Sequence, residues 1–278
     1  MLAACLATPA LADITVRYRA QLPEGAPANV RQNPPTLTIS ADGAGQARME
    51  MFAPGGAPGA SAPGIAFITR EGVGYAALNA PGGGGTMVAR VDDVLALVSQ
   101  FATPLIRGGS LQDGARQALQ QRVEIQPVGP ETVNGVRGNL YRIVLVNGET
   151  RSPPFEMVVA TDPRLAPVGQ ELARFFDAIR PTVVSLLGSE PQVYAALRGM
   201  MGLGAPLRIG DQMRLESVST DDVPDSRFAL PGPVMSREQL QQMAQMMAGF
   251  MRQGQSARPP GAPAPAPATP PADASTPR

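Results

Sequence analysis

The sequence predicts an α+β fold dominated by antiparallel strands, and three observations carry that expectation. Short segments that alternate apolar and polar residues recur in the first third of the chain and again between residues 123 and 219. Turn pairs such as Asp42-Gly43, Glu71-Gly72, Asn134-Gly135 and Gly210-Asp211 separate many of them, which reads as a succession of hairpins. Longer stretches with apolar residues at three- and four-residue steps lie between the strand-rich blocks, the period of amphipathic helices.

The elements follow in order. "ITVRYRA" sets Ile14, Val16 and Tyr18 against Thr15, Arg17 and Arg19, a half-buried strand. "TLTIS", with Leu37 and Ile39, and "GQARMEMF", with Met49 and Met51, form the next hairpin. A Gly/Pro spacer (53–64) leads to "IAFITR" and "VGYAALN", then "APGGGG" precedes "TMVAR". Gly82 to Gly85 read as a turn, because no Lys-Ser/Thr follows to make a phosphate loop. Asp92 or Asp93 is expected to cap a helix through "VLALVSQFA", and Ser110 a second one, "LQDGARQALQQR".

Strands return with "VEIQPVG", the hairpin "ETVNGVRGNLYRIVLVNG" and "FEMVVATD". The longest helical pattern follows, Leu165, Val168, Leu172, Phe175, Phe176, Ile179, Val183 and Leu186 on one face, with Pro181 expected to kink or divide it. A short helix, "EPQVYAALRGMMG", precedes the last hairpin, "APLRIGDQMRLESVST". Ser236 and Gln239 make a capping box that opens a methionine-rich helix, and beyond Gly254 the chain is rich in Pro and Ala and too poor in apolar surface to fold.

Composition removes much chemistry. The chain has no His and one Cys, Cys5, and its 23 basic residues are all Arg, against 23 acidic ones. Without His or Lys there is no Ser-His-Asp triad, no Ser-Lys dyad and no lysine Schiff base. Zinc, haem and iron–sulfur sites lose their usual ligands. A net charge of zero without a basic run argues against nucleic acid. Asp92-Asp93 and Asp221-Asp222 read as cap and turn residues, not as an acid–base pair, since neighbours on a strand point to opposite faces. The methionines of the last helix offer thioethers but no His or Cys to complete a copper site, so they read as an apolar docking face.

The opening run "LAACLATPALAD" is expected to be an export address. Ala10 and Ala12 form a small-x-small cleavage site that would leave Asp13 first. Leu2-Ala3-Ala4-Cys5 also fits a lipobox, which would instead leave Cys5 lipidated. The expected organisation is a signal peptide (1–12), a sheet domain (13–232), a methionine-rich amphipathic helix (233–253) and a Pro/Ala-rich tail (254–278).

Gly135 and Tyr141, "GAPL" at 204–207, and Val223-Pro224-Asp225-Ser226 with Phe228 and Pro231 resemble an uncharacterised family of secreted bacterial envelope proteins. That family is similar to the half-barrel of lipoprotein-localisation carriers. The resemblance covers residues 120–232 best and transfers no catalytic or ligand-binding residue. It implies a strongly curved antiparallel sheet, a half-barrel of about nine to eleven strands, with helices packed on the concave side. It also implies that this concavity accepts acyl chains. Phe228 is then expected to anchor the end of the last strand, with Asp225 and Ser226 bonding the backbone around it.

The side chains expected to line such a cavity are Ile14, Val16, Tyr18, Tyr141, Ile143, Phe175, Phe176 and Ile179. Leu240, Met243, Met247 and Phe250 are the expected stripe of a lid or partner-docking helix. The function expected is a non-enzymatic periplasmic envelope protein, without cofactor or metal, that binds a hydrophobic ligand or lipoprotein acyl chain. The alternative is a structural module with a filled core that docks an envelope partner through its C-terminal helix.

Overall fold

A computed structural model of the chain describes residues 13–52, 64–79, 85–108 and 121–256. The expected signal peptide with Cys5, most of the spacer after residue 52, the helix expected from Ser110 and the tail beyond Ser256 lie outside the described residues. The chain divides into two units, one through Leu240 and one from Gln241 onward.

The first unit is α+β. Its twelve strands form one open antiparallel sheet in the order β6-β5-β4-β3-β2-β1-β12-β11-β10-β8-β7, with the short β9 beside β8. The strands are β1 (Ile14–Ala20), β2 (Thr36–Ala41), β3 (Ala47–Phe52), β4 (Ile65–Arg70), β5 (Val73–Asn79) and β6 (Thr86–Arg90) in one half. The other half holds β7 (Arg122–Val133), β8 (Val136–Asn147), β9 (Thr150–Arg151), β10 (Phe155–Ala160), β11 (Pro206–Ile209) and β12 (Met213–Ser219). The helices among the described residues are α1 (Ala28–Gln32), α2 (Val91–Gly108), α3 (Ala166–Leu187), α4 (Gln192–Leu203) and α5 (Arg237–Ser256). β1 pairs with both β2 and β12, so the first strand joins the two halves.

The expected turns close two of the hairpins. Glu71 and Gly72, and Asn134 and Gly135, all have positive φ, the type I′ geometry whose twist matches the flanking strands. "VEIQPVG" and "ETV" form one strand, not two, because a bulge between Pro127 and Gly129 absorbs the proline without ending the ladder. The Asn134 side chain then donates to the Leu215 carbonyl at 2.6 Å, holding the tip of this hairpin to β12.

Four sequence expectations are corrected. α2 begins at Val91, so Asp92 and Asp93 lie in its first turn, where the helix dipole favours negative charge, and are not its caps. α3 is a single helix through Pro181, so the expected division in two does not occur. Pro181 and Asp177, whose carbonyl loses its partner, are both exposed, so water can replace the missing bond. Phe228 is buried, as expected, but in a 3-10 turn (Asp225–Phe228) held by main-chain bonds from Arg227 to Pro224 and from Ala229 to Ser226. No side chain caps that turn, so the expected Asp225 and Ser226 cap bonds are not made there, and the last strand is β12.

The Ser236–Gln239 capping box is formed: the Ser236 amide donates to Gln239 Oε1 at 2.8 Å and the Gln239 amide to Ser236 Oγ at 3.3 Å. α5 starts at Arg237; before it, Val234 bridges Val88 and the Met235 amide donates to the Val88 carbonyl, covering part of the edge strand β6. The described residues of the second unit continue α5 to Ser256.

The two faces of the β2–β6 half are distinct. On one, Ile14, Val16, Ile39, Ala47 and Met49 join the main core with Leu165, Val168 and Leu172 around α3. On the other, Ala66, Ile68, Ala77 and Val88 form a smaller cluster with Tyr75 and Leu230. The segment after β12 binds this second face: Arg48 donates to the Arg227 and Ala229 carbonyls, and Arg227 pairs with Glu50.

Candidate functional site

Strand register sorts the α3-facing side chains of the first half into three parallel rows. The first runs Ile14–Ala41–Ala47–Thr69–Gly74 and consists mostly of small residues. The second runs Val16–Ile39–Met49–Phe67–Ala76–Ala89. The third runs Leu215–Tyr18–Leu37–Met51–Ile65–Leu78–Met87.

α3 covers the first two rows from β1 to β4, and α2 lies against β5 and β6 at their far end. The first half of α3 is clamped where backbones meet: a Cβ on Gly169 would lie 2.7 Å from the Gly204 carbonyl carbon, and one on Gly204 would lie 2.4 Å from the Ala160 oxygen. Only glycine permits that approach. From there Glu171, which is buried, accepts a 2.5 Å bond from the Thr69 hydroxyl in the small-residue row, and its other oxygen meets Arg174 at 3.3 Å. One turn on, Phe175 packs edge-on against Phe67 of the second row at 4.8 Å between ring centres.

Beyond that point α3 turns its contacts to another partner. Phe176 meets the Tyr194 ring at 5.2 Å, the Tyr194 hydroxyl donates to the Phe176 carbonyl, and Arg198 of α4 pairs with Asp177. Burial holds the Tyr194 phenol in its neutral form, with Glu190 and Asp177 adding to the effect, so its pKa is pushed up to about 12. The Arg198 hydrogen bond lowers the pKa of Asp177. The buried residues of α3 all lie between Pro167 and Leu172, although its apolar pattern runs on to Leu186.

The third row is covered only at one end. Leu215 and Tyr18 are buried, Leu37, Leu78 and Met87 are half-buried, and Met51 and Ile65 are 40% and 37% exposed. Adjacent strands lie about 4.8 Å apart, so Leu37 through Met87 make an apolar stripe of about 19 Å. Contiguous exposed apolar patches, when large, mark interaction or ligand-binding surfaces. On the neighbouring helix α2, Val98 is likewise 45% exposed.

Tyr18 sits at the closed end of the stripe. Its side chain is fully buried and its hydroxyl has no hydrogen-bond partner. An unpaired buried hydroxyl costs about 1–3 kcal/mol. Burial without a partner also drives the Tyr18 pKa far above the ordinary phenol range.

The expected cavity residues distribute over four places. Ile14, Val16, Tyr18 and Ile143 lie within the packed core, with Tyr141, Phe175 and Phe176 half-buried against it. Phe175 borders a cleft of about 250 Å³ shared with Phe67, Thr69, Tyr75 and Glu171. Tyr141 borders a separate cleft of about 350 Å³ beside Asn139, Asp162 and Leu203. Ile179 is half-buried in the second half of α3. Of the expected helix stripe, Leu240 is buried and Met243 half-buried, while the side chains of Met247 and Phe250 lie outside the described part. Among the described residues no three His, Cys, Asp or Glu side chains converge to hold a metal ion, and no helix is long and apolar enough to cross a membrane.

Sequence reasoning missed the open stripe as a unit. Alternation marks each of its residues as facing one side of a strand, but only register lines them up across five strands. Comparison of the chain with models of known protein families and with curated proteins found no match to either.

Proposed function

We propose that this protein is a non-catalytic binder of a hydrophobic ligand, a lipid or the acyl chain of a lipoprotein, working in the cell envelope. The observation that carries the reading is the Leu37–Met51–Ile65–Leu78–Met87 stripe, half-exposed on the same sheet face that buries Val16, Ile39 and Met49 in the neighbouring row. A ligand laid along it would bury apolar area worth about 25 cal/mol per Å² removed from water. In this reading the sheet is strongly curved, a half-barrel with the helices on its concave side, as in the lipoprotein carriers it resembles. Export with cleavage after Ala12 would place the domain in the periplasm, where such ligands are handled.

Titration of the full chain with the fluorescent apolar probe phenylnaphthylamine tests this reading. Saturable micromolar binding is expected, with displacement by fatty-acid esters. Met51→Gln and Ile65→Gln together should weaken it by at least about tenfold while the variant keeps cooperative denaturation, since both residues are already partly open to water. Absence of saturable binding, or a double variant that binds like the parent, would overturn it.

A second reading, docking of an envelope protein through α5, is supported by the exposure of Met246 on that helix at 61%. Flexible thioethers suit surfaces that adapt to a partner. Deleting residues 236–278 should abolish partner capture and spare probe binding under this reading; loss of both would attach the helix to the ligand site instead.

A further inference from the structure

We infer that the ligand carries a hydrogen-bond acceptor, an ester or amide carbonyl or a carboxyl group, and that the Tyr18 hydroxyl donates to it. This rests on the proposed hydrophobic-ligand site and goes further by naming the chemistry at its closed end. Tyr18 and the open residues Met51 and Ile65 belong to one cross-strand row: Tyr18 is paired with Leu37, Leu37 with Met51, and Met51 with Ile65. Moving along that row from Ile65 toward Tyr18, exposure falls from more than a third to almost nothing. At the closed end of this row the Tyr18 hydroxyl has been taken from water and given no partner.

Packing alone gives no reason for that hydroxyl. A phenylalanine fills nearly the same volume, and the flanking residues Leu37 and Leu215 offer only apolar side chains. Other buried polar groups of the same sheet face are satisfied: the Glu171 carboxylate binds Thr69 and Arg174. A phenol is a hydrogen-bond donor at every pH below its titration, and the low dielectric of its surroundings strengthens whatever bond it makes. A pure hydrocarbon leaves the donor unpaired. A chain that brings a carbonyl to the end of the stripe pairs it, so Tyr18 selects acyl compounds over hydrocarbons of equal length.

The test compares the full chain with Tyr18→Phe, using methyl decanoate and tridecane, an alkane with the same number of non-hydrogen atoms, as competitors of phenylnaphthylamine. The parent protein should bind the ester more tightly. In Tyr18→Phe the ester should lose about tenfold in affinity, the worth of one hydrogen bond, with tridecane unchanged. The melting temperature of the variant without ligand should be equal or higher, because it loses no bond. Equal loss for both competitors would make Tyr18 a packing residue and overturn the inference, as would an unchanged ester affinity. A lower melting temperature with ester affinity preserved would show the hydroxyl bonded within the fold and overturn it too. A parent protein that binds tridecane and the ester equally leaves the ligand site standing and removes only the role of Tyr18. One that binds neither removes the site and the inference with it.

Discussion

Two rows on one face of the sheet, a single two-residue step apart along the strands, have opposite fates. Val16, Ile39 and Met49 are buried to 5% exposure or less, whereas Met51 and Ile65, in the next row, keep more than a third of their surface. Their residue types are alike, so hydrophobicity alone does not separate them. What separates them is α3, pinned over the inner rows by Gly169, Glu171 and Phe175 and then drawn toward α4 by Phe176 and Asp177. Where a helix lies decides which part of an apolar face becomes core and which stays exposed.

The largest effect is expected from the opposite side of the same strands. Phe228→Ala should destabilise the first unit by about 3–5 kcal/mol in chemical denaturation, because its ring is fully buried in the turn over β3 and β4. A neutral result would mean that this face contributes little and that the α3-facing rows carry the fold alone.

A matched pair then probes the comparison itself. Ile39→Ala should cost about 2–5 kcal/mol, and Ile65→Ala, at a half-open position, no more than about 1.5 kcal/mol. Equal losses would show the third row to be core. The clamp that creates the difference is addressed by Gly169→Ala, which puts a methyl within 3 Å of backbone atoms at Met201, Gly204 and Ala205. About 1–3 kcal/mol of destabilisation is expected, with a change in probe binding as α3 is displaced.

Much of this was legible in the sequence. The strands from Ile14 to Arg70, the Asn134-Gly135 and Gly210-Asp211 turns and the Ser236 capping box rest on local chemistry, and local chemistry needs no partner to be read. The open stripe rests on register, and the clamp on two glycines, Gly169 and Gly204, that are 35 positions apart (204 − 169). Phe228 was recognisable as an anchor, but a strand and a 3-10 turn bury an aromatic ring equally well. Tyr18 was readable as inward-facing; that its hydroxyl lacks a partner depends on all its neighbours at once.

Smaller effects are expected from pH. The chain has no histidine, so stability should be nearly flat from about pH 5 to 9. Tyr18 and Tyr194 have pKa values raised by burial, so their contribution is intact below the ordinary phenol value near 10 and is lost as pH rises through their folded-state values. Asp162 and Asp177, lowered by bonds from Arg164 and Arg198, contribute above their unfolded value and lose that contribution as pH falls through the folded one. Tyrosinate absorbance should show part of the phenol titration coinciding with alkaline unfolding. Complete titration of all four tyrosines near pH 10 with the fold intact would contradict the burial of these two.

The most direct measurement of the central claim is methionine oxidation by dilute peroxide, followed by peptide mass spectrometry with and without methyl decanoate. Met49 and Met51 stand two residues apart on β3 and face the same side, one buried and one open. Without ligand, Met51 should oxidise much faster than Met49. With ligand, Met51 should be protected while Met246, exposed on α5 away from the stripe in sequence, keeps its rate. Equal rates at Met49 and Met51, or an Met51 rate unmoved by saturating ester, would contradict the account of the third row as an open apolar site.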